Sequence, residues 1–221
     1  VIGTRKLLDL ARKYNVPKTV IMSTYFVYGA SPYNPSLLDE TTPLKASELT
    51  MDLVDSVELE NLSAIYLYKH PELHITVLRP CNIAGPGVRN TFSLLLSEKR
   101  SPVLWGFSPL MQFIHIDDMR DAICTAFEKN IPGVYNVAPD DYIGFQDAIK
   151  IAGSQRIQIP SVPPSLTEGI ARFLKWKSFP PYLINYFKYP VIIDGSLFAK
   201  TFDFKPKKTL EDIFMYYKSL K

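Results

Sequence analysis

The chain reads Thr19-Val20-Ile21-Met22-Ser23-Thr24-Tyr25-Phe26-Val27-Tyr28-Gly29 where a short apolar run meets a segment rich in hydroxyl groups. The β-branched start of this stretch is typical of a strand buried on both faces in a parallel sheet. Ser23 and Thr24 then lie where the strand runs out into a loop, at the sheet edge where ligands of open α/β folds collect. The stretch predicts a parallel α/β fold with polar side chains at the carboxyl edge of the sheet.

Helical and strand-like segments alternate on either side of this stretch. Val1–Tyr14 predicts an amphipathic helix with an apolar side of Ile2, Leu7, Leu8, Leu10 and Ala11. Residues 50–69 predict a second helix, whose apolar side comprises Leu53, Val54, Val57, Leu62, Ile65 and Tyr68. Further helices are predicted at Phe92–Lys99 and Asp118–Glu128, and strands at His74–Arg79, Gln112–Ile116 and Gly133–Val137. This alternation predicts parallel βαβ units.

Two regions depart from that alternation. Residues 28–47 are rich in Pro, Ser, Asn and Asp and predict a long loop, which is more often functional than idle. Beyond about residue 150 the sequence turns to Pro-rich loops and amphipathic helices, at Leu166–Trp176, Pro181–Tyr186 and Thr209–Leu220. We expect this last part to form a smaller cap beside the sheet.

Composition points to a small soluble ligand as partner. The 221 residues are 47% hydrophobic, and 25 Lys and Arg stand against 22 Asp and Glu, spread along the chain, so no nucleic-acid footprint is present. Cys81 and Cys124 have no metal-site spacing, and we expect no metal and a reducing, cytoplasmic location. Because no apolar run has membrane-spanning length and the first residues lack the basic-then-apolar pattern of a secretion signal, we expect neither feature in this sequence. Because Val1 is not a methionine and begins a helical pattern, we expect the chain to be part of a longer protein.

Four islands carry a resemblance to a known family: Ser23–Gly29, Arg79–Gly87, Gln112–Asp118 and Val134–Val137. Together they resemble the extended short-chain dehydrogenase/reductase family, of the NAD-dependent epimerase/dehydratase type. The resemblance implies a partial Rossmann-type doubly wound parallel sheet in residues 1–150, with residues 151–221 forming a small, mainly helical α+β cap on the substrate side, interleaved with it. It also implies NAD or NADP as cofactor, a small-molecule substrate and a homodimer.

The resemblance further assigns roles to individual residues. Thr24, four residues before Tyr28, would polarise the substrate, although a strand-end cap is the alternative for this hydroxyl. Ser23, Pro80, Cys81 and Ile83 would line the nicotinamide, and the glycines after them would serve turn geometry equally well. The substrate would meet three further side chains, those of Tyr25, Asn82 and Gln112.

The family's Tyr-x-x-x-Lys pair is missing from the helix that should carry it. The spacing does occur at Tyr14 and Lys18, but that stretch contains Pro17 and precedes a strand, and it occurs at Tyr217 and Lys221, which end this sequence. Neither match can occupy the catalytic helix.

In the family's pair, residues four apart share a helix face, and the ammonium lowers the phenol pKa from about 10 so that it can pass a proton. Counting back from Arg79 and Glu60 places the pair on Asp52 and Ser56. A carboxylate gives up its proton well below neutral pH and serine brings no charge, so the usual mechanism should not run.

Two other family features are absent. The sequence contains no Gly-x-x-Gly-x-x-Gly loop, and the resemblance therefore places about 90 residues, or three βα units, before Val1. An Arg that clamps a sugar-nucleotide diphosphate is replaced by Met111 and Gln112, which lack the charge for bidentate phosphate binding. We do not expect a nucleotide-sugar substrate.

Three functions remain open from the sequence. The first is an enzyme with a relocated acid, at Tyr25, Tyr33 or His115, although a His in an apolar strand is more often structural, and Asp118 is favoured as a helix N-cap. The second is a cofactor-binding pseudoenzyme with a regulatory or scaffold role. The third is membrane-interface contact by the aromatic and basic segment Leu166–Tyr189, for which packing as the substrate-side cap is the favoured interpretation.

Overall fold

The computed structural model describes residues 1–160 and 181–221. Its helices are α1 (Ile2–Lys13), α2 (Ala46–Leu49), α3 (Val54–Lys69), α4 (Thr91–Ser97), α5 (Ile116–Lys129), α6 (Phe145–Ile151), α7 (Ser196–Phe202) and α8 (Leu210–Ser219). Its strands are β1 (Thr19–Met22), β2 (Ile75–Pro80), β3 (Asn82–Ala84), β4 (Arg100–Leu104), β5 (Leu110–Met111), β6 (Phe113–His115), β7 (Gly133–Val137), β8 (Ile143–Gly144) and β9 (Gln155–Ile159). Short 3₁₀ turns occupy Tyr25–Tyr28, Met51–Leu53, Pro71–Leu73 and Pro181–Phe187.

A three-stranded parallel sheet in the order β1-β2-β7 forms the centre of the fold. Thr19 lies beside Ile75 at one end of the β1-β2 pair, and Leu78 lies beside Tyr135 in the β2-β7 pair. All six residues of β2 are buried, as a central parallel strand covered on both faces requires. The parallel α/β fold predicted from the sequence is confirmed.

Helices cover both faces of this sheet. Side chains alternate between the two faces along β2, and each set packs against different helices. Ile75 and Val77 join a cluster with Leu8 of α1 and with Leu62 and Tyr66 of α3. Leu78 points the other way, into the larger core to which α5 and α7 contribute Met119, Ala122, Phe198 and Phe202. The sheet is therefore wound on both sides, as expected.

The apolar side of α1 is only partly covered in this chain. Leu8 and Ala11 are 2% and 8% exposed and pack on the sheet. The other predicted members, Ile2, Leu7 and Leu10, are 74%, 68% and 50% exposed, so their predicted burial is wrong in this structure. Helix α1 is covered only along the narrow stripe that packs against α3 and the Pro71–Leu73 turn.

Helix α3 begins at Val54, four residues later than predicted, and turns a different face inward. Leu53, Val57 and Leu62 are buried as expected, but Ile65 and Tyr68 are 49% and 82% exposed. Their places on the inner face are taken by Glu60, Ser63 and Tyr66. A prediction based on apolar residues alone misses this inner face, because the charged Glu60 is buried there against a cationic residue of β2, described below.

The segment after residue 150 is woven into the earlier part of the chain. Strand β9 pairs in parallel with β4, and α7 packs against β7 of the central sheet. In the loop at residues 28–47, Leu38 forms an isolated bridge with Ile193 and is 1% exposed. The predicted helix Leu166–Trp176 lies outside the described residues, and the domain boundary near residue 150 stays a prediction.

Within the two described ranges, every helix is too short or too polar to cross a membrane.

Candidate functional site

A cavity of about 520 Å³ opens at the carboxyl ends of β1 and β2. Seven of the residues proposed from the sequence line it: Ser23, Thr24, Tyr25, Pro80, Cys81, Asn82 and Ile83. Its other lining residues are Met22, Phe26, Arg89, Asn90, Thr91, Phe92, Leu94 and Leu183. The volume is in the range of sites for small molecules.

Parallel pairing brings the two halves of this site together. Met22 lies beside Leu78 at the end of the β1-β2 register, and the Ser23 N–H donates to the Leu78 carbonyl at 2.8 Å. On the other side of β2, the Cys81 N–H donates to the Val137 carbonyl at 3.0 Å. Two segments far apart in sequence thus leave the sheet at the same edge, which is where parallel α/β folds collect ligands.

Thr24 combines the two roles that the sequence left open. Its Oγ1 accepts a hydrogen bond from the Phe26 N–H at 3.3 Å and so caps the 3₁₀ turn Tyr25–Tyr28. The same residue lines the cavity, and its hydroxyl proton is not consumed by the cap. A cap and a hydrogen-bond donor toward a ligand are compatible here.

A buried hydrogen-bonded chain runs along the cavity wall. The Tyr25 hydroxyl donates to Asn82 Oδ1 at 2.8 Å, and Asn82 Nδ2 donates to the Gln112 carbonyl at 2.9 Å. Burial raises the pKa of Tyr25 well above its ordinary value, and the nearby Tyr186 adds to this. Tyr25 is therefore a neutral phenol at physiological pH, a donor of hydrogen bonds rather than a base.

Gln112 does not line the cavity. Its side-chain Nε2 donates to the carbonyls of Pro139 and Ile193, each at 3.0 Å, and its Oε1 accepts from the Ile193 N–H at 2.9 Å. The side chain is 3% exposed. Its amide joins three segments of backbone, and Gln112 meets the cavity only through the carbonyl that orients Asn82.

Asp52 and Ser56 are also outside the set of residues that line the cavity. Asp52 is exposed, lies in the 3₁₀ turn Met51–Leu53 that precedes α3, and accepts a hydrogen bond from the Thr50 hydroxyl at 3.2 Å. Ser56 is half-buried in the first turns of α3. The structure thus brings seven of the ten candidates together and leaves these two and Gln112 apart.

A buried ion pair lies next to the site. Arg79 of β2 contacts Glu60 of α3 through Nε at 2.9 Å and through Nη2 at 2.8 Å, and their side chains are 7% and 2% exposed. Arg79 Nη1 also donates to the Tyr28 hydroxyl at 2.9 Å, and that hydroxyl donates to Asn136 Oδ1 at 2.8 Å. This network joins β2, α3, β7 and the Tyr25–Tyr28 turn. The sequence signal that could have revealed it is the charged Arg79 near the end of an apolar strand.

Sequence reasoning noted the glycines of the loop between β3 and α4 but not the contacts that hold this loop. Gly85 has a φ of +127°, and a Cβ there would lie 3.0 Å from His115 Nε2. The Gly85 N–H donates to the Tyr217 hydroxyl at 2.8 Å, and that hydroxyl donates to Ser93 Oγ at 2.9 Å. Asn90 Nδ2 donates to the Ile83 carbonyl at 2.7 Å. Both ends of this loop are therefore fixed to the core.

The N-cap of α5 is His115, so the cap predicted at Asp118 is wrong. Asp118 does not cap α5; its two carboxylate oxygens accept from the N–H groups of Lys207 and Lys208, both at 2.9 Å. The N-cap is His115, whose Nδ1 accepts from the Asp117 N–H at 3.1 Å. The buried His115 therefore has a structural function, as the apolar strand around it indicated.

Comparison with known proteins places these features in a family context. The family model described as "NAD dependent epimerase/dehydratase family" matches residues 1–138. An uncharacterised protein of Mycobacterium tuberculosis is 24% identical over 218 residues, which are 98% of this chain and 58% of that protein. This chain therefore spans about half the length of the curated relatives it matches.

Solved structures show the same fold. The dTDP-glucose 4,6-dehydratase of Bacillus anthracis, in complex with NAD, has a TM-score of 0.72 and 20% identity, covering 99% of this chain and 67% of that chain. The RMD protein of Pseudomonas aeruginosa, complexed with NADPH, has a TM-score of 0.73 and 15% identity, covering 100% of this chain and 72% of that chain. The predicted Rossmann-type fold class is confirmed by these likenesses.

Proposed function

Because this chain belongs to the NAD-dependent epimerase/dehydratase family, we propose that it holds the nicotinamide end of NAD or NADP in the cavity at the β1 and β2 ends. There it acts on a small carbonyl or sugar-like substrate without the family's usual acid and base. The observation that carries the proposal is the meeting of Ser23–Tyr25 with Pro80–Ile83 around one cavity of about 520 Å³.

The residues present fit the nicotinamide end of the cofactor. Pro80, Cys81 and Ile83 offer a backbone wall, and Ser23 contributes a half-buried hydroxyl opposite it. When bound, the nicotinamide supplies or takes up a hydride. The 221 residues include no Gly-x-x-Gly-x-x-Gly loop to hold the pyrophosphate, so the fit concerns the reactive end alone.

The hydroxyl groups of Thr24 and Tyr25 are the candidates to polarise a substrate oxygen. Both line the cavity. The Thr24 hydroxyl keeps a proton that can be donated, whereas the Tyr25 hydroxyl donates to Asn82 Oδ1 and must exchange that bond for one to the substrate. Asn82 is positioned to accept from Tyr25 or to bind the substrate, because its amide is oriented by the Gln112 carbonyl. A neutral phenol donates a hydrogen bond to a developing oxyanion but abstracts protons poorly, which favours slow or unconventional chemistry.

A catalytically inactive cofactor-binding protein with a regulatory or scaffold role is the second candidate. It is favoured by the placement of Asp52, which is exposed in a turn and lies outside the cavity. Ser56 is also outside, so neither residue at the positions of the family's catalytic pair lines the cavity. The homodimer and the cytoplasmic location stay predictions.

Cofactor binding tests the proposal directly. Titration of the purified protein with NADH and NADPH, followed by nucleotide fluorescence, should give saturable binding. Ile83→Trp fills the cavity and should weaken that binding at least tenfold, whereas Ile65→Trp, at a position 49% exposed on α3, should leave it unchanged. Absence of binding to the parent protein, or equal affinity in both variants, would contradict the proposal.

Hydride transfer separates the enzyme from the inactive alternative. NADH oxidation with a panel of aldehydes, ketones and keto acids should be detectable and should fall when Thr24→Val removes the hydroxyl at nearly constant volume. A protein that binds cofactor but oxidises no NADH with any of them would favour the regulatory function.

A further inference from the structure

Arg89 is the one cationic side chain among the residues that line the cavity. It is exposed, and within residues 1–160 and 181–221 its guanidinium makes neither an ion pair nor a side-chain hydrogen bond. Its five N–H donors are therefore available to a ligand. No aspartate or glutamate lines the same cavity among the described residues, so an anion entering it meets an attractive field.

The backbone that carries Arg89 is held in place on both sides. Before it, the Val88 N–H donates to the Gly85 carbonyl at 3.3 Å, and Gly85 is tied to Tyr217. After it, Asn90 Oδ1 accepts from the Ser93 N–H at 2.8 Å while Asn90 Nδ2 holds the Ile83 carbonyl. A cation on an anchored backbone loses less freedom on binding than one on a free loop.

Apolar surface accompanies this cation. Met22 and Leu94, both lining the cavity, are 39% and 40% exposed. Phe26 is half-buried beside them, and its ring lies 4.5 Å from that of Tyr25 and 6.5 Å from that of Phe92, at interplanar angles of 30° and 14°. A flat apolar ligand would cover these side chains and remove them from water.

The single positive charge of Arg89 favours an anion with a single negative charge. A single guanidinium matches the two oxygens of one carboxylate in a bidentate pair, whereas a diphosphate would leave at least one negative charge uncompensated. We propose that the cavity binds an aromatic monocarboxylate, with Arg89 pairing the carboxylate and Met22, Phe26 and Leu94 covering the ring. The proposal names the substrate class of the site. Binding of the carboxylate stands by itself, and only its role as the substrate rests on the proposed function.

Benzoate is the probe, with benzamide as its neutral analogue. Calorimetric titration should show saturable benzoate binding that falls about tenfold in Arg89→Gln, the loss expected for a bidentate pair. Arg100→Gln removes the same charge from an exposed site on β4 outside the cavity and should change the affinity less than twofold. Benzamide should bind the parent protein no better than benzoate binds Arg89→Gln.

Three results of these ligand titrations would overturn the proposal. They are the absence of saturable benzoate binding to the parent protein, an unchanged affinity in Arg89→Gln, and a higher affinity for inorganic pyrophosphate than for benzoate. The apolar wall is tested by Leu94→Asn, which should weaken benzoate several-fold, against Leu7→Asn, a control on α1 that is 68% exposed. Equal effects of these two variants would also count against it.

The titrations are run without nucleotide and again with saturating NAD⁺. Benzoate binding that depends on Arg89 but occurs in a protein that binds no nucleotide would uphold the carboxylate site and refute the proposed function. Nucleotide binding in a protein that ignores benzoate would do the reverse.

Discussion

The hydrogen bond between Tyr25 and Asn82 joins two residues that the sequence proposed separately, 57 positions apart. Tyr25→Phe removes the donor and leaves the buried Asn82 Oδ1 without it, so the free energy of unfolding should fall by about 1–3 kcal/mol. Urea denaturation followed by circular dichroism measures this. Tyr33→Phe is the matched control, because Tyr33 is 93% exposed, and a loss of the same size there would contradict the prediction.

The pair of Glu60 and Arg79 allows a larger effect at a single residue. Glu60→Gln leaves the guanidinium buried without a counter-charge, and removing one member of a buried ion pair costs about 3–5 kcal/mol. Glu58→Gln, at an exposed position on the same helix, should change the stability by less than about 0.5 kcal/mol. Chemical denaturation of both variants checks this, and similar stabilities for the two would refute it.

At the scale of elements, Tyr217 connects the C-terminal helix α8 to the loop that borders the cavity. Tyr217→Phe removes the acceptor of the Gly85 N–H and should raise the hydrogen-exchange rate of that amide by at least tenfold. Exchange measured by NMR should show no such change in Tyr216→Phe, which alters the half-buried neighbour on the same helix. An amide at Gly85 that stays protected would show that the loop is held by other contacts.

The accuracy of the sequence-based predictions differs most between individual helices and strands. The strand at Gly133–Val137 was predicted to the residue, since its apolar run is bounded by clear turn signals. The buried face of helix α3 was predicted wrongly because that face includes Glu60. An apolar pattern treats a charged residue as exposed, even when an ion pair with a buried partner holds it in the core. The resemblance assigned roles to all ten candidates, and the seven that directly follow β1 or lie from the end of β2 into β3 met in the cavity, because parallel strands end at one edge. Asp52, Ser56 and Gln112 lie elsewhere in the chain and are not among the residues that line the cavity.

At the scale of the whole molecule, the ionisation of Glu40 makes the free energy of unfolding depend on pH. Burial raises the pKa of Glu40 above its ordinary value of 4.5, with the Asn136 N–H acting in the opposite sense. The folded state therefore holds this proton more tightly than the unfolded state, so the Glu40 contribution to stability is fully present below pH 4.5 and is lost as the pH rises through the folded pKa. Carboxylates such as the half-buried Asp121, whose pKa is lowered mainly by the hydrogen bond from Lys207, act with the opposite sign.

Glu40→Gln isolates this contribution, because its amide oxygen can still accept from Asn136. The stability of the variant relative to the parent protein should rise as the pH increases above 4.5 and should level off beyond the folded pKa. Thermal denaturation from pH 4 to pH 8 measures the difference. Glu48→Gln, at an exposed position, should give a difference without that rise, and a flat difference for Glu40→Gln would contradict the assignment.

The uneven anchoring of the cavity wall has a consequence for protein engineering. Gly85 accepts no larger residue beside His115, so mutagenesis there would sacrifice foldability before it reshaped specificity. Met22, Arg89 and Leu94 line the same cavity from exposed positions, where new side chains cost little. A combinatorial library confined to these three codons would explore ligand preference on a scaffold that keeps its shape.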